Sequence, residues 1–452
     1  MMENNKEQDL TQGTVSKKLI YFTFPLLLSS LVQQLYNTVD LIFAGNVLGK
    51  EASSAIGLSA LFINCLILFF GGMAVGTGIV ISHAYGEGNS DQLKGAIQNI
   101  LVLSALGGIL LMVLGYFFAP YYMLFIRAPE NLYAGAIHYL RTYIFSFIPI
   151  FIYNIGSGAL RALGNSRIPL FAQFIGGLVH IVMDALLIVV FNVGIHGMGW
   201  ASLVSQGTAA GIIILYLRRL DESYCLRILQ IKPDSTVILK ILKVGVPAGI
   251  QSLIISLSNI LAQYQINALG EDAVAAFTAY FKVEQVIYLP IVALGQAIMT
   301  FVGQNIGANQ LKRAESGIKE CLKIGTIITI ILSGTALLFG PFLFRLFSRE
   351  LSVITLGLQI IHITFPFYFL YLMLQVLSDS LRGAGVIQAP TVISIFNFCI
   401  LRISLLFCIV PKFQNIQSAA ITYPIVWATT TACLVVYYLC NWRKRFYNKK
   451  FR

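Results

Sequence analysis

The sequence predicts an all-α integral membrane protein, with twelve transmembrane helices arranged as two parallel repeats of six. Three observations carry that expectation. Of the 452 residues 57% are hydrophobic and only 11% charged, and the mean hydropathy of +0.79 is far from the balance of a soluble domain. Apolar runs of roughly 20 or more residues recur along the chain, each long enough to cross about 30 Å of hydrocarbon as a helix. They are continuous rather than alternating, which excludes a β-barrel. Finally, the second half restates the first at a shift of about 221 residues.

The elements follow in order. Residues 1–16 are polar and mixed in charge, without the basic start, short apolar core and small-residue cleavage site of a removable signal, so the first helix is expected to be retained. Helix 1 is expected over 17–44, helix 2 over 53–82, helix 3 over 93–118, helix 4 over 134–161, helix 5 over 168–192 and helix 6 over 198–219. These make a first lobe, 17–220. A linker at 221–240 lies in a basic stretch that includes Arg218, Arg219, Arg227, Lys232, Lys240 and Lys243. The second lobe, 241–442, holds helix 7 at 241–268, helix 8 at 273–303, helix 9 at 316–345, helix 10 at 353–381, helix 11 at 388–411 and helix 12 at 416–441, before a basic tail at 443–452.

The repeat is read from short matches. FP at Phe24 matches VP at Val246, LGKEASSA from Leu48 matches LGEDAVAA from Leu269, and LRALGNSRIP from Leu160 matches LRGAGVIQAP from Leu381. QLKGA from Gln92 matches QLKRA from Gln310 after a small gap. Because six is even, both halves start on the same side and run the same way. Paired parallel lobes with a site near the midplane are a recurring transporter plan.

Charge fixes the orientation. The net charge of +12 gathers in alternate loops and the tail, so it reads as a topology signal and not as a nucleic-acid surface. Both termini are expected in the cytoplasm of a prokaryotic cell, with the chain multi-pass in its plasma or inner membrane and monomeric. The seven cysteines show no metal-binding spacing and read as packing residues. The run GGMAVGTG from Gly71 lies inside a helix and lacks a GK[ST] ending, so close helix packing explains it better than phosphate binding. Pro25 and Pro247 sit early in helices 1 and 7, where each removes a donor and crowds the carbonyl of Tyr21 or Lys243, and a kink is expected at both.

Ionisable groups inside a membrane are costly and face the bundle interior or a watery cavity. On helix 1, Gln33, Asn37 and Asp40 share a face that Gln34 borders; on helix 5, Gln173, Gly177, His180 and Asp184 do the same. Two polar stripes hidden from lipid are best placed against each other, bringing Asp40 toward Asp184. Two carboxylates meeting in a poorly solvated site make one proton or one monovalent cation the natural guest, transient Na⁺ at Asp40 and Asp184 included. The competing reading of Asp40 is a structural hydrogen-bond partner. Glu284 on helix 8 is either a cleft residue or half of an interhelical pair, and Asp379, one turn before Arg382, is either a substrate-attracting group or an i, i+3 ion pair. Tyr36, Tyr153, Tyr264, Phe277, Tyr280, Tyr288 and Tyr371 could line a cleft for flat hydrophobic cations. Asn259 and Gln263 on helix 7 join the cleft set, with Ala262 standing where helix 1 has Asp40.

These motifs, in this order across nearly the whole chain, resemble the multidrug and toxic compound extrusion (MATE) family, most closely its DinF-type and archaeal-type branch. FPLLLSSLVQQLYNTVDLIFAGNVLG, HAYGEGN and LRALGNSRIP with their second-half counterparts carry the likeness. The resemblance implies a V-shaped pair of six-helix lobes that exports amphipathic or cationic compounds by antiport with inward H⁺ or Na⁺, without a cofactor. It also implies a cation site from Asp40 and Asp184, with Ser202 and either Ser157 or Asn154 as partners. The sequence departs from the branch at His180, where an Asn is usual, and imidazole in place of a carbonyl oxygen favours proton coupling. Helix 7 lacks the acid other branches carry. A lipid-linked saccharide flippase of related fold is the alternative, disfavoured because few bases lie within the spans, chiefly Lys282 and Arg402. No catalytic or nucleotide-binding motif points to an enzyme or an ATP-driven pump.

Overall fold

The computed structural model describes residues 9–447, with the backbone alone for 443–447 and for Asn37, Leu41, Ile42 and Leu61. The outer parts of both expected tails lie outside the described residues. Among those described there is no strand. Eleven helices are long and apolar enough to cross a membrane, and a bent pair makes the twelfth span. Helix 1 is Val15–Leu48, helix 2 Lys50–Gly86 and helix 3 Ser90–Phe125; helix 5 is Arg167–Val190 and helix 6 Ile195–Arg218. Helix 7 is Ser235–Asn267, helix 8 Glu271–Gly307, helix 9 Leu311–Leu338, helix 10 Leu351–Gly383, helix 11 Gln388–Phe413 and helix 12 Ile416–Trp442.

Helix 4 departs from the uninterrupted element expected over 134–161. It is Glu130–Ile144 followed by Phe147–Ala162, with a 48° bend between them. Pro149, in the first turn of the second piece, has no N–H to give the Phe145 carbonyl at the break. The N–H groups of Phe145 and Ser146 turn to the carbonyls three residues back, Thr142 and Tyr143, and the Ser146 hydroxyl donates to the Tyr143 carbonyl as well. That tightened turn ends one helix and lets the next start on a new axis. Pro25 and Pro247, by contrast, sit inside unbroken helices.

The repeat extends to the turns. Gly49 and Gly270 join helices 1 to 2 and 7 to 8 with φ of 87° and 101° and ψ near 180°, a region open to glycine alone. Gly164 and Gly385 end helices 4 and 10 with φ of 87° and 78°. In each, the next residue's N–H reaches back to the leucine that opens the motif: Asn165 to Leu160 at 2.9 Å and Val386 to Leu381 at 2.8 Å. Both helices are therefore stopped by the same left-handed closure.

Two compact units form. One holds Phe24–Gly249 and the other Leu10–Thr23 with Ile250–Arg452. The unit limits fall beside Pro25 and Pro247, so the first turns of helices 1 and 7 each sort with the opposite half of the sequence from the rest of their helix. In the second unit, the segment before helix 1 is pinned: Arg313 donates to the carbonyls of Leu10 and Gly13, and the Leu10 N–H reaches Gln304 Oε1 at 3.1 Å.

Lipid offers little hydrophobic drive between helices, so small residues and close packing hold them. In the first unit a Cβ on Gly72 would stand 2.1 Å from the Gly249 nitrogen, and one on Gly76 would stand 2.7 Å from that of Gly245. The glycine run of helix 2 thus lets helix 7 touch it backbone to backbone. Phe70 packs edge-on against Phe147 and Phe151, with ring centroids at 5.8 and 4.6 Å. Helix 8 is the hub of the second unit, 67% of its most apolar stretch being buried against 22% for helix 1. Outward-facing apolar residues such as Leu106, Phe117 and Phe125 form the surface offered to lipid.

Candidate functional site

The polar stripes of helices 1 and 5 meet. His180 Nδ1 lies 2.9 Å from Asp40 Oδ1 and 3.2 Å from Asp184 Oδ2. Helix periodicity places them: His180 and Asp184 are one turn apart, and a π-helical turn, Ala185–Val190, follows directly. Helix 1 likewise ends in a π turn, Ala44–Leu48, just past Asp40. Such turns recur at functional sites.

Helix 6 fixes the imidazole. Ser202 Oγ donates to its own helix at the Met198 carbonyl, 3.0 Å away, so the 3.0 Å contact with His180 Nε2 is one in which the ring N–H donates. With Nε2–H so used, Nδ1 is the nitrogen that faces the two acids. The Tyr36 ring covers the imidazole at 5.8 Å between centroids and faces Gln33, Gln173 and Asp40. Gly177 faces the same ring, and a Cβ there would lie in ordinary van der Waals contact with it, 3.5 Å from Tyr36 Cδ1.

The site is short of hydrogen bonds. Asp184 is fully buried and His180 is 3% exposed, yet both Asp184 oxygens, His180 Nδ1 and Asp40 Oδ1 lack a hydrogen bond of proper alignment. Close approach without alignment leaves two acids and a base incompletely satisfied where each such group is expensive. Their ligand atoms lie within 4.8 Å of one another, which is the spacing of a site that a single small cation or a shared proton completes.

The other expected partners behave differently. Asn154 donates to the Ile150 carbonyl of its own helix at 2.8 Å, and Ser157 Oγ is buried without a hydrogen bond; neither contacts the triad. Tyr153 donates to the Pro169 carbonyl at 3.3 Å. Gln33 and Gln34 are exposed, and the side chain of Asn37 lies outside the described residues.

The second unit encloses a cavity of about 430 Å³ lined by Asn259, Gln263, Glu284, Tyr288, Tyr371 and Arg402, among others. Glu284 Oε1 accepts hydrogen bonds from Tyr280, at 3.1 Å, and from Tyr368. Tyr280 is one turn before Glu284 and was legible as a neighbour; Tyr368, from helix 10, was not. Lys282 is exposed on a different face, as the two-residue offset requires. Gln263 donates to Asn267 at 2.8 Å. Asp379 is buried in a network: Arg382 at 3.0 Å, Gln375 at 2.6 Å, and through Arg382 to Gln251, which also takes the Thr391 hydroxyl. The i, i+3 pair is therefore formed, and it ties helices 7, 10 and 11 together.

Comparison with known proteins fits this arrangement. The sequence model of the MatE family matches residues 25–186 and again 247–408. YoeA of Bacillus subtilis (strain 168), a probable multidrug resistance protein, is 27% identical over 461 residues and covers 98% of both chains. YpnP of the same organism, also a probable multidrug resistance protein, is 28% identical over 399 residues, covering 88% of this chain and 89% of its own. A solved structure of MATE in the bent conformation shares the fold with a TM-score of 0.89 at 22% identity, over 98% of each chain.

Proposed function

The chain belongs to the MatE family of membrane transporters, and on that premise we propose that it exports amphipathic or cationic compounds by antiport with protons. The relatives named as multidrug resistance proteins support the export of drug-like cargo. The basic linker after helix 6 supports a cell-membrane protein with both termini in the cytoplasm.

The observation that carries the coupling step is the Asp40, His180 and Asp184 cluster. With Nε2–H given to Ser202, Nδ1 and the two carboxylates hold a proton among them. A nitrogen donor suits a proton better than hard Na⁺, which is best held by oxygens. Protonation can drive alternating access only if the two conformations differ in proton affinity. The buried, incompletely bonded acids supply that difference when one conformation admits water to them and the other does not. Cleft residues Gln33, Gln34, Tyr36, Tyr153 and Gln173 then meet the cargo beside the coupling site.

Purified protein in proteoliposomes loaded with a fluorescent cation tests this. An imposed pH gradient is expected to drive efflux, and an imposed Na⁺ gradient at clamped pH is not. Efflux that follows Na⁺ and ignores the pH gradient would overturn proton coupling. Asp40→Asn is expected to slow pH-driven efflux by more than about tenfold, a loss in keeping with removing a group that carries the proton.

A further inference from the structure

The cavity of the second unit holds a buried cation that no carboxylate contacts, with the Glu284 charge reaching it only across the cavity. Arg402 is 4% exposed, and its guanidinium gives one N–H to the neutral Asn259 side chain at 2.7 Å and lies 4.5 Å over the Tyr423 ring. Its Nε–H is buried without a well-aligned hydrogen bond, and so is the Tyr423 hydroxyl, which has only the guanidinium beside it. Among the described residues no carboxylate stands within ion-pair distance of Arg402. Glu284 lines the same cavity, but its Oε1 is taken by two tyrosine hydroxyls. A buried guanidinium with one amide, one ring and an orphaned donor is under-compensated, and two unmatched donors on one wall call for an acceptor.

The remaining walls say what carries that acceptor. Tyr288, Tyr371 and Trp427 line the cavity, with Tyr288 to Tyr371 at 5.8 Å and Tyr371 to Trp427 at 5.6 Å between centroids. These rings suit a flat aromatic frame, and about 430 Å³ falls in the range of small-molecule sites. The repeat adds a contrast of sign. Carried across by the matched LRALGNSRIP and LRGAGVIQAP segments, His180 falls on Leu401, so the acid-flanked base of one unit has an arginine next to its matching position in the other.

We propose that this cavity is a binding site for an aromatic organic anion, its carboxylate seated on Arg402 Nε–H and the Tyr423 hydroxyl and its rings held among Tyr288, Tyr371 and Trp427. The bland reading makes Arg402 a lock between helices 7, 11 and 12, with water filling the cavity. That reading gives no preference for an anion. The site is independent of which ion drives transport, because it is measured by binding at equilibrium.

The test uses the full chain in lipid nanodiscs and three probes of one shape: anthracenecarboxylate, anthracenemethanol and anthracenemethylamine, followed by fluorescence anisotropy at one neutral pH. The carboxylate is expected to bind about tenfold tighter than the alcohol, the worth of a charge-assisted hydrogen bond. Arg402→Gln is expected to erase that preference and Tyr423→Phe, which keeps the ring and its packing, to reduce it severalfold; Lys282→Gln, outside the cavity, leaves it intact. Equal binding of carboxylate and alcohol, preferential binding of the amine, or a preference untouched by both Arg402→Gln and Tyr423→Phe overturns the proposal.

Discussion

Asp184 has no exposure and no well-aligned hydrogen bond on either oxygen, so it contributes charge to the fold at a cost. A residue kept for stability would not be placed this way. Asp184→Asn, which removes the buried charge at nearly the same volume and leaves His180 its contact with Asp40, is therefore expected to change the melting temperature of the purified protein little while abolishing pH-driven efflux. A lower melting temperature with efflux retained would make Asp184 a structural group. Ser202 acts one step further out, through the tautomer of His180. Ser202→Ala removes the acceptor for Nε2–H, lets the ring present either nitrogen to the acids, and is expected to slow efflux severalfold with little change in melting temperature. Unchanged efflux would show that the ring is held by Tyr36 and the acids alone.

Helix ends and helix contacts obey more local rules. Asp234, which opens helix 7, accepts from the Thr236 N–H at 2.8 Å, the Thr236 hydroxyl at 2.6 Å and the Val237 N–H at 3.3 Å. Those bonds to the ionised form hold its carboxyl below the usual carboxylate range. Its folded value is the depressed one, so the cap's contribution is fully present above the unfolded pKa of about 3.9 and is lost as pH falls through the folded value. Hydrogen exchange at the Thr236 and Val237 amides is expected to speed up across that acid window and not above it. Within the first unit, Gly72→Ala puts a methyl 2.1 Å from a backbone nitrogen, so one helix must move, at a cost of about 1–3 kcal/mol for overpacking. A drop in thermal stability checks it. The spans, the repeat and the turn glycines Gly49, Gly164, Gly270 and Gly385 were legible because hydropathy and residue type encode them locally. The bend after Ile144 was missed although Pro149, in the first turn beyond it, was the residue-type signal that could have found it. The π turns after Asp40 and Asp184 left no mark in residue type.

At the scale of the molecule the two repeats share their turns and differ in their charges, and this is the reason for proposing that coupling belongs to the first. Helical periodicity brought Asp40, His180 and Asp184 to one place because both stripes were polar and neither could face lipid. Periodicity could not show the setting of Glu284, since Tyr280, Tyr368, Tyr423 and Trp427 look like interface aromatics until three helices, 8, 10 and 12, converge. Nor could it decide Asp379, whose bonds to Gln375 and Arg382 run onward to Gln251. Each acid then has its own expected phenotype. Asp379→Asn weakens a buried ion pair, and loss of one partner of such a pair costs about 3–5 kcal/mol; a lower melting temperature is expected, with the efflux that remains still answering to the pH gradient. Glu284→Gln keeps a carbonyl for the two tyrosine hydroxyls, so folding and pH-driven flux are expected to persist while relative rates among cargo molecules change. Asp40→Asn is the reverse case, with the protein intact and the response to the pH gradient gone. If Glu284→Gln abolished that response and Asp40→Asn spared it, the proton would be carried in the second unit, and the polar stripes of helices 1 and 5 would be packing.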